Sequence, residues 1–366
     1  MRIALINNSR GWGGAEEMLY ALSKGLRDRG HYPGLFLREG SATVEKFIRG
    51  GFDVHPISRK GFGLFSGVMK MAGIVRRGAF DLVHVHRNHD LLVGKIAGLS
   101  AGNLPMVLTQ HCWLGKTSSV AINLPDSIVT VSRFLADGIS DRFPALSSKL
   151  RVIHNGINLD DFAEACDDYW TKIPELAGKG PLLGVVGIFY KNQEELIELL
   201  PRIKQKFPNV ALIIIGRDDE KKHLLEKVAS VHAVSDSVFF AGKVPYSEMK
   251  HALTGLDLNV SAYRREGFGL SVIEGMAVGT PFVGYRAGGY ADIVENGVNG
   301  YLAESKDEFA DTIIGLLDNK EELNHLKINA MSSVPNRFSI DTMLDEYISI
   351  YSELLKTGNG PKAGKF

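Results

Sequence analysis

The stretch from Arg265 to Gly279, REGFGLSVIEGMAVG, decides how the rest of the chain is read. It sets two glutamates, Glu266 and Glu274, on either side of a glycine-rich bend. Two carboxylates this close in sequence can act as an acid/base pair, grip a ligand, or serve a helix terminus. Gly267-Phe268-Gly269 interrupts any helix, so Glu266 belongs to the loop after the strand pattern LDLNVS (256–261). Glu274 belongs to a helix, SVIEGMA, bounded by Gly279. Ser271 and Glu274 match the Ser-x-x-Glu capping box, which gives Glu274 a structural explanation beside a ligand role.

The same strand–bend–helix unit recurs along the chain. RIALIN, PGLFLR, DVHPI, DLVHVH, PMVLTQ, SIVTV and LRVIH are short apolar runs in the first half, and LLGVVGIF, ALIIIG, SVFFAG, LDLNVS and PFVGY follow in the second. Amphipathic stretches lie between them, the clearest from Ala15 to Arg29 with Gly30 as its stop. The pattern is α/β: parallel sheets covered on both faces. At 366 residues the chain exceeds one ordinary core and divides into two doubly wound domains. Residues 1–165 form the first and 181–337 the second. The acidic, Gly- and Pro-bearing stretch 166–180 between them reads as a linker. A helix over 338–356 is expected to pack back towards the first domain, followed by a tail, 357–366. Open α/β sheets bind ligands beyond the carboxyl ends of their strands, so two such domains predict an interdomain cleft.

Composition narrows the partners. Hydrophobic residues make up 45% and charged residues 23%, and 42 Lys plus Arg balance 42 Asp plus Glu, so no global field favours nucleic acid. Cys112 and Cys166 fit neither a disulfide framework nor a metal spacing, as in a reducing cytoplasm. No run of about 18 apolar residues is long enough to span a bilayer, and the start lacks a signal-peptide pattern.

Several bends carry ligand chemistry. In SRGWGGAEEML (9–19), Gly11, Gly13 and Gly14 let backbone approach a ligand at a helix N-terminus. The dinucleotide fingerprint fails, because its third glycine would fall at Glu16, and no GxxxxGK[ST] P-loop occurs. DLVHVHRNHD (81–90) offers His84, His86 and His89 without an acidic or cysteine ligand at usual spacing, so His86 to His89 are read as a strand end reaching the cleft. In VLTQHCW (107–113), adjacent His111 and Cys112 point to opposite faces, which disfavours a Cys-His nucleophile. His111 is expected as a hydrogen-bond donor in the cleft and Cys112 as packing. Gly187 with Lys191, and Gly216 with Arg217, put two cations and two glycine turns at strand ends, an arrangement suited to a diphosphate.

Together these stretches resemble the retaining glycosyltransferases of family 4, whose fold is GT-B: two facing Rossmann-like doubly wound domains with an interdomain cleft. The resemblance rests on GWGGAE (11–16), LVHVHRNHD (82–90), VTVSRFLADGI (129–139), RVIHNGINLDDF (151–162), the lysine before the helix that follows Asn192, and above all REGFGLSVIEGMAVGTPFVG (265–284). It implies a hexosyltransferase moving a hexose from a nucleotide-diphosphate sugar, UDP favoured over GDP, to a glycan or glycolipid hydroxyl. The pathway it implies is cell-envelope polysaccharide or lipopolysaccharide assembly. Glu266, His111 and Lys191 are the implied catalytic residues. The implied donor site holds Gly13, Gly14, Gly187, Lys191, Arg217, Glu266, Gly267, Phe268, Gly269, Leu270 and Glu274. In it Lys191 meets the diphosphate and Glu274 the ribose. His86, Asn88, Gly288 and Gly289 are the candidate acceptor residues. No metal and no resident cofactor are implied, and UDP or GDP is the product.

Two positions depart from the family pattern. Ile188 stands where an arginine usually follows the glycine, removing half of the diphosphate clamp, and Asp292 replaces a glutamate in GGYADIV (288–294). A non-catalytic nucleotide-sugar-binding subunit and a GT-B epimerase are the alternatives. A phosphorylase would need a lysine-bound pyridoxal site that is not seen. A glycosidase would need both carboxylates to flank the bond, which a helix-bound Glu274 fits poorly. The segment 58–80 mixes Arg59, Lys60, Lys70, Arg76 and Arg77 with apolar residues, so peripheral contact with the inner face of the cytoplasmic membrane is a further expectation beside an ordinary amphipathic helix.

Overall fold

The computed structural model describes residues 1–58, 62–114, 120–216 and 219–357. Arg59, Lys60, Arg217 and the tail beyond Thr357 lie outside the described residues. The chain forms two compact units, Met1–Gly156 together with the segment from Ile340, and Ile157–Ser339.

The first unit runs β1 Arg2–Asn7, α1 Gly14–Asp28, β2 Tyr32–Arg38, α2 Ala42–Arg49, β3 Val54–Ile57, α3 Phe62–Arg77, β4 Leu82–Val85, α4 Leu91–Ser100, β5 Met106–Gln110, β6 Ser127–Thr130, α5 Arg133–Arg142 and β7 Leu150–Val152. Its seven strands are ordered β3-β2-β1-β4-β5-β6-β7, every neighbour parallel. Ile3 to Ile6 of β1 are fully buried, as a central strand covered on both faces requires. α1 turns Met18, Leu19, Leu22 and Leu26 into the core, one stripe of a helix-period pattern.

The second unit runs β8 Leu182–Val186, α6 Gln193–Lys206, β9 Ala211–Ile215, α7 Asp219–Val231, β10 Val238–Gly242, α8 Tyr246–Thr254, β11 Leu258–Ser261, α9 Leu270–Ala277, β12 Phe282–Tyr285, β13 Gly300–Ala303, α10 Lys306–Asp318 and α11 Lys320–Arg337. Its sheet is parallel, in the order β10-β9-β8-β11-β12-β13. β13, GYLA, is absent from the strand candidates. Gly300 makes it possible, since a Cβ there would lie 2.7 Å from the Phe282 carbonyl oxygen of β12.

The change of unit falls at Gly156/Ile157 rather than at 165/166, and the stretch expected to be a linker packs on the second unit. Ile157 N–H donates to Phe338 O at 2.9 Å, and buried Trp170 donates through Nε1 to Ala252 O at 2.7 Å. A buried indole with a satisfied N–H is core, not connector. The last helix, α12 Ile340–Lys356, belongs to the first unit. Arg29 holds Asp341 at 2.8 Å and also pairs with Asp345. Gly25 admits Leu344 so closely that a Cβ would lie 2.1 Å from its Cδ1.

In both sheets the chain steps outwards in opposite directions from a central pair, β1/β4 in one and β8/β11 in the other. Loops leaving the carboxyl ends of such a pair diverge and leave a crevice, the usual ligand position in open α/β sheets.

Candidate functional site

At the second unit's switch point the loops after β8 and β11 bring Lys191 and Glu266 together. Gly187 follows β8 at φ +152, and the Lys191 side chain lies across it, its Cδ 3.0 Å from where a Cβ would sit. Any larger residue at 187 would push Lys191 away. Gln193, fully buried at the start of α6, ties the loop from both sides: it donates to Ile188 O and accepts from Lys191 N–H, each at 2.9 Å. So held, Lys191 Nζ lies 2.6 Å from Glu266 Oε2, with side chains only 23% and 19% exposed. Glu266 Oε1 accepts from Gly267 N–H at 3.2 Å. Ile188, at the position of the missing arginine, is 41% exposed.

The loop carrying Glu266 rests directly on the Gly288-Gly289 turn. A Cβ on Gly288 would lie 2.7 Å from Glu266 O, and one on Gly289 would lie 2.6 Å from Gly267 O and Phe268 Cα. Gly289 N–H donates to Glu266 O at 2.9 Å. These glycines therefore have a structural reason to be glycine: they let one loop seat the other. Phe268 turns its ring into the core against Phe338, which leaves its backbone as the part that can face a ligand.

Glu274 does not cap its helix. α9 begins at Leu270 with Gly269 (φ +117) as N-cap, so Ser271 is already inside the first turn and the capping box expected of Ser271 and Glu274 does not form. The left-handed bend at Gly269 shifts the start by two residues. Glu274 is nonetheless buried, on the helix face turned inwards.

The first unit's switch point is organised by Glu16, the residue that spoils the dinucleotide fingerprint. Glu16 is buried; its Oε2 accepts from Gly13 N–H at 3.1 Å. Its Oε1 accepts from Arg87 Nη2 at 2.6 Å and from Asn7 Nδ2 at 3.2 Å. One carboxylate thus ties the glycine turn, the end of β1 and the loop after β4, and takes the Gly13 N–H that the sequence left for a ligand. Beside it, fully buried Asp90 accepts from Asn8 N–H at 3.1 Å and from Asn8 Nδ2 at 2.7 Å. Asn8 Oδ1, His86 Nε2 and Asn88 Oδ1 are buried without a hydrogen-bond partner.

A histidine ladder crosses this sheet. His84 is held by Tyr351 OH and Thr109 Oγ1, each at 2.7 Å, and stacks 4.2 Å from His86 between ring centroids. His86 Nδ1 lies 3.1 Å from His111 Nε2. Burial holds His84 down to about 3, with a small push from His111. Burial also lowers His111, to about 4, Glu16 opposing and Arg87 assisting, and burial, His84, His111 and Arg87 hold His86 well below its ordinary value. The three rings are neutral at neutral pH and exchange single hydrogen bonds.

His111 is thus brought beside His86 as an acceptor or donor to another imidazole, whereas Cys112, expected as packing, is exposed. Glu16, Asn8, Arg87 and Asp90 were not read as site residues. The signal for Glu16 was present, a glutamate at the third position of a helix opened by glycines. Its partner Arg87 lies in the stretch from His86 to His89 read as reaching the cleft, but nothing in the sequence paired it with a glutamate 71 residues away.

Two family models match the chain: Glycosyltransferase Family 4 over residues 12–161 and Glycosyl transferases group 1 over residues 170–333. N-acetyl-alpha-D-glucosaminyl L-malate synthase of Bacillus anthracis is 23% identical, with 96% of each chain covered. Phosphatidyl-myo-inositol mannosyltransferase of Mycobacterium tuberculosis is 24% identical, with 94% of each covered. Among solved structures, Anabaena Alr3699/HepE in complex with UDP superposes with a TM-score of 0.85 at 22% identity, covering 96% of this chain and 100% of that one.

Proposed function

Because the chain belongs to the glycosyltransferases of group 1 and family 4 and acts on nucleotide sugars, we propose that it transfers a hexose from a UDP-sugar to a glycan or glycolipid hydroxyl with retention. The observation that carries this reading is the Lys191–Glu266 pair at the second unit's switch point, inside the frame from Arg265 to Gly279. Lys191 meets the leaving diphosphate, Glu266 the hydroxyls of the sugar, and buried Glu274 the ribose. Negative charge grows on the diphosphate as the glycosidic bond opens, and a preorganised cation is worth most there. The leaving phosphate assists the acceptor proton, so neither a classical base nor a resident metal is required.

The first unit takes the acceptor. Asn8 Oδ1, His86 Nε2 and Asn88 Oδ1 are buried polar atoms that sugar hydroxyls would satisfy, and neutral histidines suit an uncharged polyol. The pathway is cell-envelope glycan or lipopolysaccharide assembly on the cytoplasmic side. In support, Anabaena HepE, which shares the fold, was solved in complex with UDP, and a relative is a phosphatidyl-myo-inositol mannosyltransferase.

A screen of UDP- and GDP-sugars by thermal shift, followed by release of UDP from the stabilising donor, tests the reading. A UDP-sugar that raises Tm and is slowly hydrolysed supports it; no stabilisation by any nucleotide sugar refutes it. Exposed Ile188 favours a second reading, a binding subunit without turnover. Stabilisation without hydrolysis or transfer to any acceptor would select that reading.

A further inference from the structure

α12 sets two phenols against the histidine ladder. Tyr347 and Tyr351 stand four residues apart on one helix face, both buried, and a buried tyrosine hydroxyl needs a partner. They find a single line of groups: Tyr351 OH lies 2.7 Å from His84 Nδ1, His84 Nε2 lies 2.7 Å from Thr109 Oγ1, and Thr109 Oγ1 lies 3.0 Å from Tyr347 OH. Burial keeps His84 neutral, so one ring nitrogen carries the proton and the other accepts. A phenol is a stronger donor and a weaker acceptor than an aliphatic hydroxyl, so Tyr351 donates to Nδ1 and Nε2–H donates to Thr109. With both nitrogens engaged, the His84 ring turns only by breaking two buried hydrogen bonds.

His86 lies against that fixed ring, 4.2 Å between centroids, and reaches His111 on its other side. Its Nδ1 stands 3.1 Å from His111 Nε2, with the two rings 17° from parallel. Both rings are neutral, so one of them donates. If His111 donates, the His86 proton sits on Nε2, a buried nitrogen with no partner among the described residues. A buried N–H without an acceptor is the rarer and costlier defect. If His86 donates, its Nε2 is a bare nitrogen open to a donor, and His111 keeps its own proton on Nδ1. His111 makes no other hydrogen bond among the described residues, so that N–H is free for a ligand.

We infer that Tyr351 is a positioning residue: through His84 it holds His86 as the donor to His111 Nε2, which fixes His111 as an Nδ1–H donor beside an accepting His86 Nε2. A bare nitrogen next to an N–H matches a neutral hydroxyl, whose proton goes to the first and whose oxygen binds the second. A carboxylate or phosphate would find one donor and one lone pair set against it. Thr109 and Tyr347 close the far end of the line and hold the same ring. A substrate hydroxyl enters here only if the first unit takes a sugar, the reading proposed above, whereas the tautomers are properties of the fold itself.

Nitrogen NMR of the full chain carrying isotope-labelled histidine reads each tautomer directly, because protonated and bare ring nitrogens differ widely in shift. His84 is expected with its proton on Nε2 and His111 with its proton on Nδ1. In Tyr351→Phe the His111 nitrogens should move to values averaged between the two tautomers, while Thr109→Ser, which keeps the hydroxyl, should leave them as in wild type. Should Tyr351→Phe not fold, Thr109→Val, which removes the partner of His84 Nε2, carries the same expectation. Tyr351→Phe should also lower kcat/KM for transfer about fivefold, the worth of one neutral hydrogen bond, and have no effect in a His111→Ala background. A wild-type His111 protonated on Nε2, or His111 nitrogens unmoved by the folded variant, overturns the inference. An equal loss of kcat/KM in both backgrounds gives Tyr351 a merely structural role and overturns it as well. If no nucleotide sugar is turned over, the transfer reading fails alone, and the nitrogen shifts still decide the tautomers.

Discussion

Replacing Glu266 with glutamine should make the protein bind UDP more tightly. Lys191 is held by Glu266 at 2.6 Å, and for it to meet a diphosphate it must leave that carboxylate. Two unit charges about 4 Å apart attract by about 4 kcal/mol at an effective dielectric of about 20. Most of this is offset by desolvation, because exposed pairs net about 0–1 kcal/mol and breaking buried ones costs about 3–5. With side chains 23% and 19% exposed, the pair stands between these limits, and about 1–2 kcal/mol is a reasonable hold on Lys191. Glu266→Gln releases it, so UDP affinity should rise about 5- to 30-fold in titration calorimetry, while transfer from the UDP-sugar falls because the sugar hydroxyls lose an acceptor. Lys191→Met should weaken UDP by about 10- to 150-fold, the worth of charge-assisted hydrogen bonds of about 1.5–3 kcal/mol. In the Lys191→Met background, Glu266→Gln should yield a much smaller gain, since only its repulsion of the diphosphate is then relieved. An equal gain in both backgrounds, or none in either, refutes the partner exchange and with it Lys191 as the diphosphate cation.

Three further outcomes follow from the packing. Gly289→Ala drives a methyl to 2.6 Å from the backbone at Gly267 and Phe268, which cannot rotate away, so Tm should fall by at least about 4 °C for about 2 kcal/mol lost; an unchanged Tm would mean the two loops are not seated on each other. Glu16→Ala removes the partner of Arg87 and of the Gly13 N–H, and urea unfolding should report about 2 kcal/mol less stability, discounted because the Arg87 side chain is 33% exposed; Glu16→Gln, which keeps an acceptor for Gly13, should lose about half as much. Fully buried His84, held to about 3, and His86, held lower than its ordinary value, stay neutral when folded while the unfolded chain protonates near 6.5. Their burial therefore leaves stability intact above about pH 6.5 and erodes it as pH falls below that, for His84 down to about 3, at about 1.4 kcal/mol per pH unit for each ring. His111 is half-buried and adds less. Urea midpoints across that range for wild type and His84→Asn check this, the variant being expected to show a slope shallower by about one proton.

The failures of local reading have specific causes. The capping box at Ser271 and Glu274 did not form because Gly269, bent to φ +117, starts the helix two residues earlier, and backbone sign is not written in a Ser-x-x-Glu pattern. The linker expected over 166–180 is packed structure because Trp170 finds the Ala252 carbonyl, a partner 82 residues away. Cys112, just beyond the end of β5, sits outside the core although all five residues of that strand are buried. In the first two, an unusual φ or a distant partner overrode a local preference.

Sequence alone determined most of the element types. Apolar runs of strand length, the stripe of α1 and the glycine bends state local periods, and periods are properties of consecutive residues. The frame from Arg265 to Gly279 likewise named the family, because its spacing is local. The tertiary structure decided which bends meet. Lys191 faces Glu266 and Arg87 faces Glu16 because β8 lies beside β11 and β1 beside β4, and strand order is fixed by how whole sheets bury their faces, not by any one segment. Leu92, Ile96 and Leu99 of α4 are exposed for the same reason: only packing tells which of a helix's apolar residues found the core.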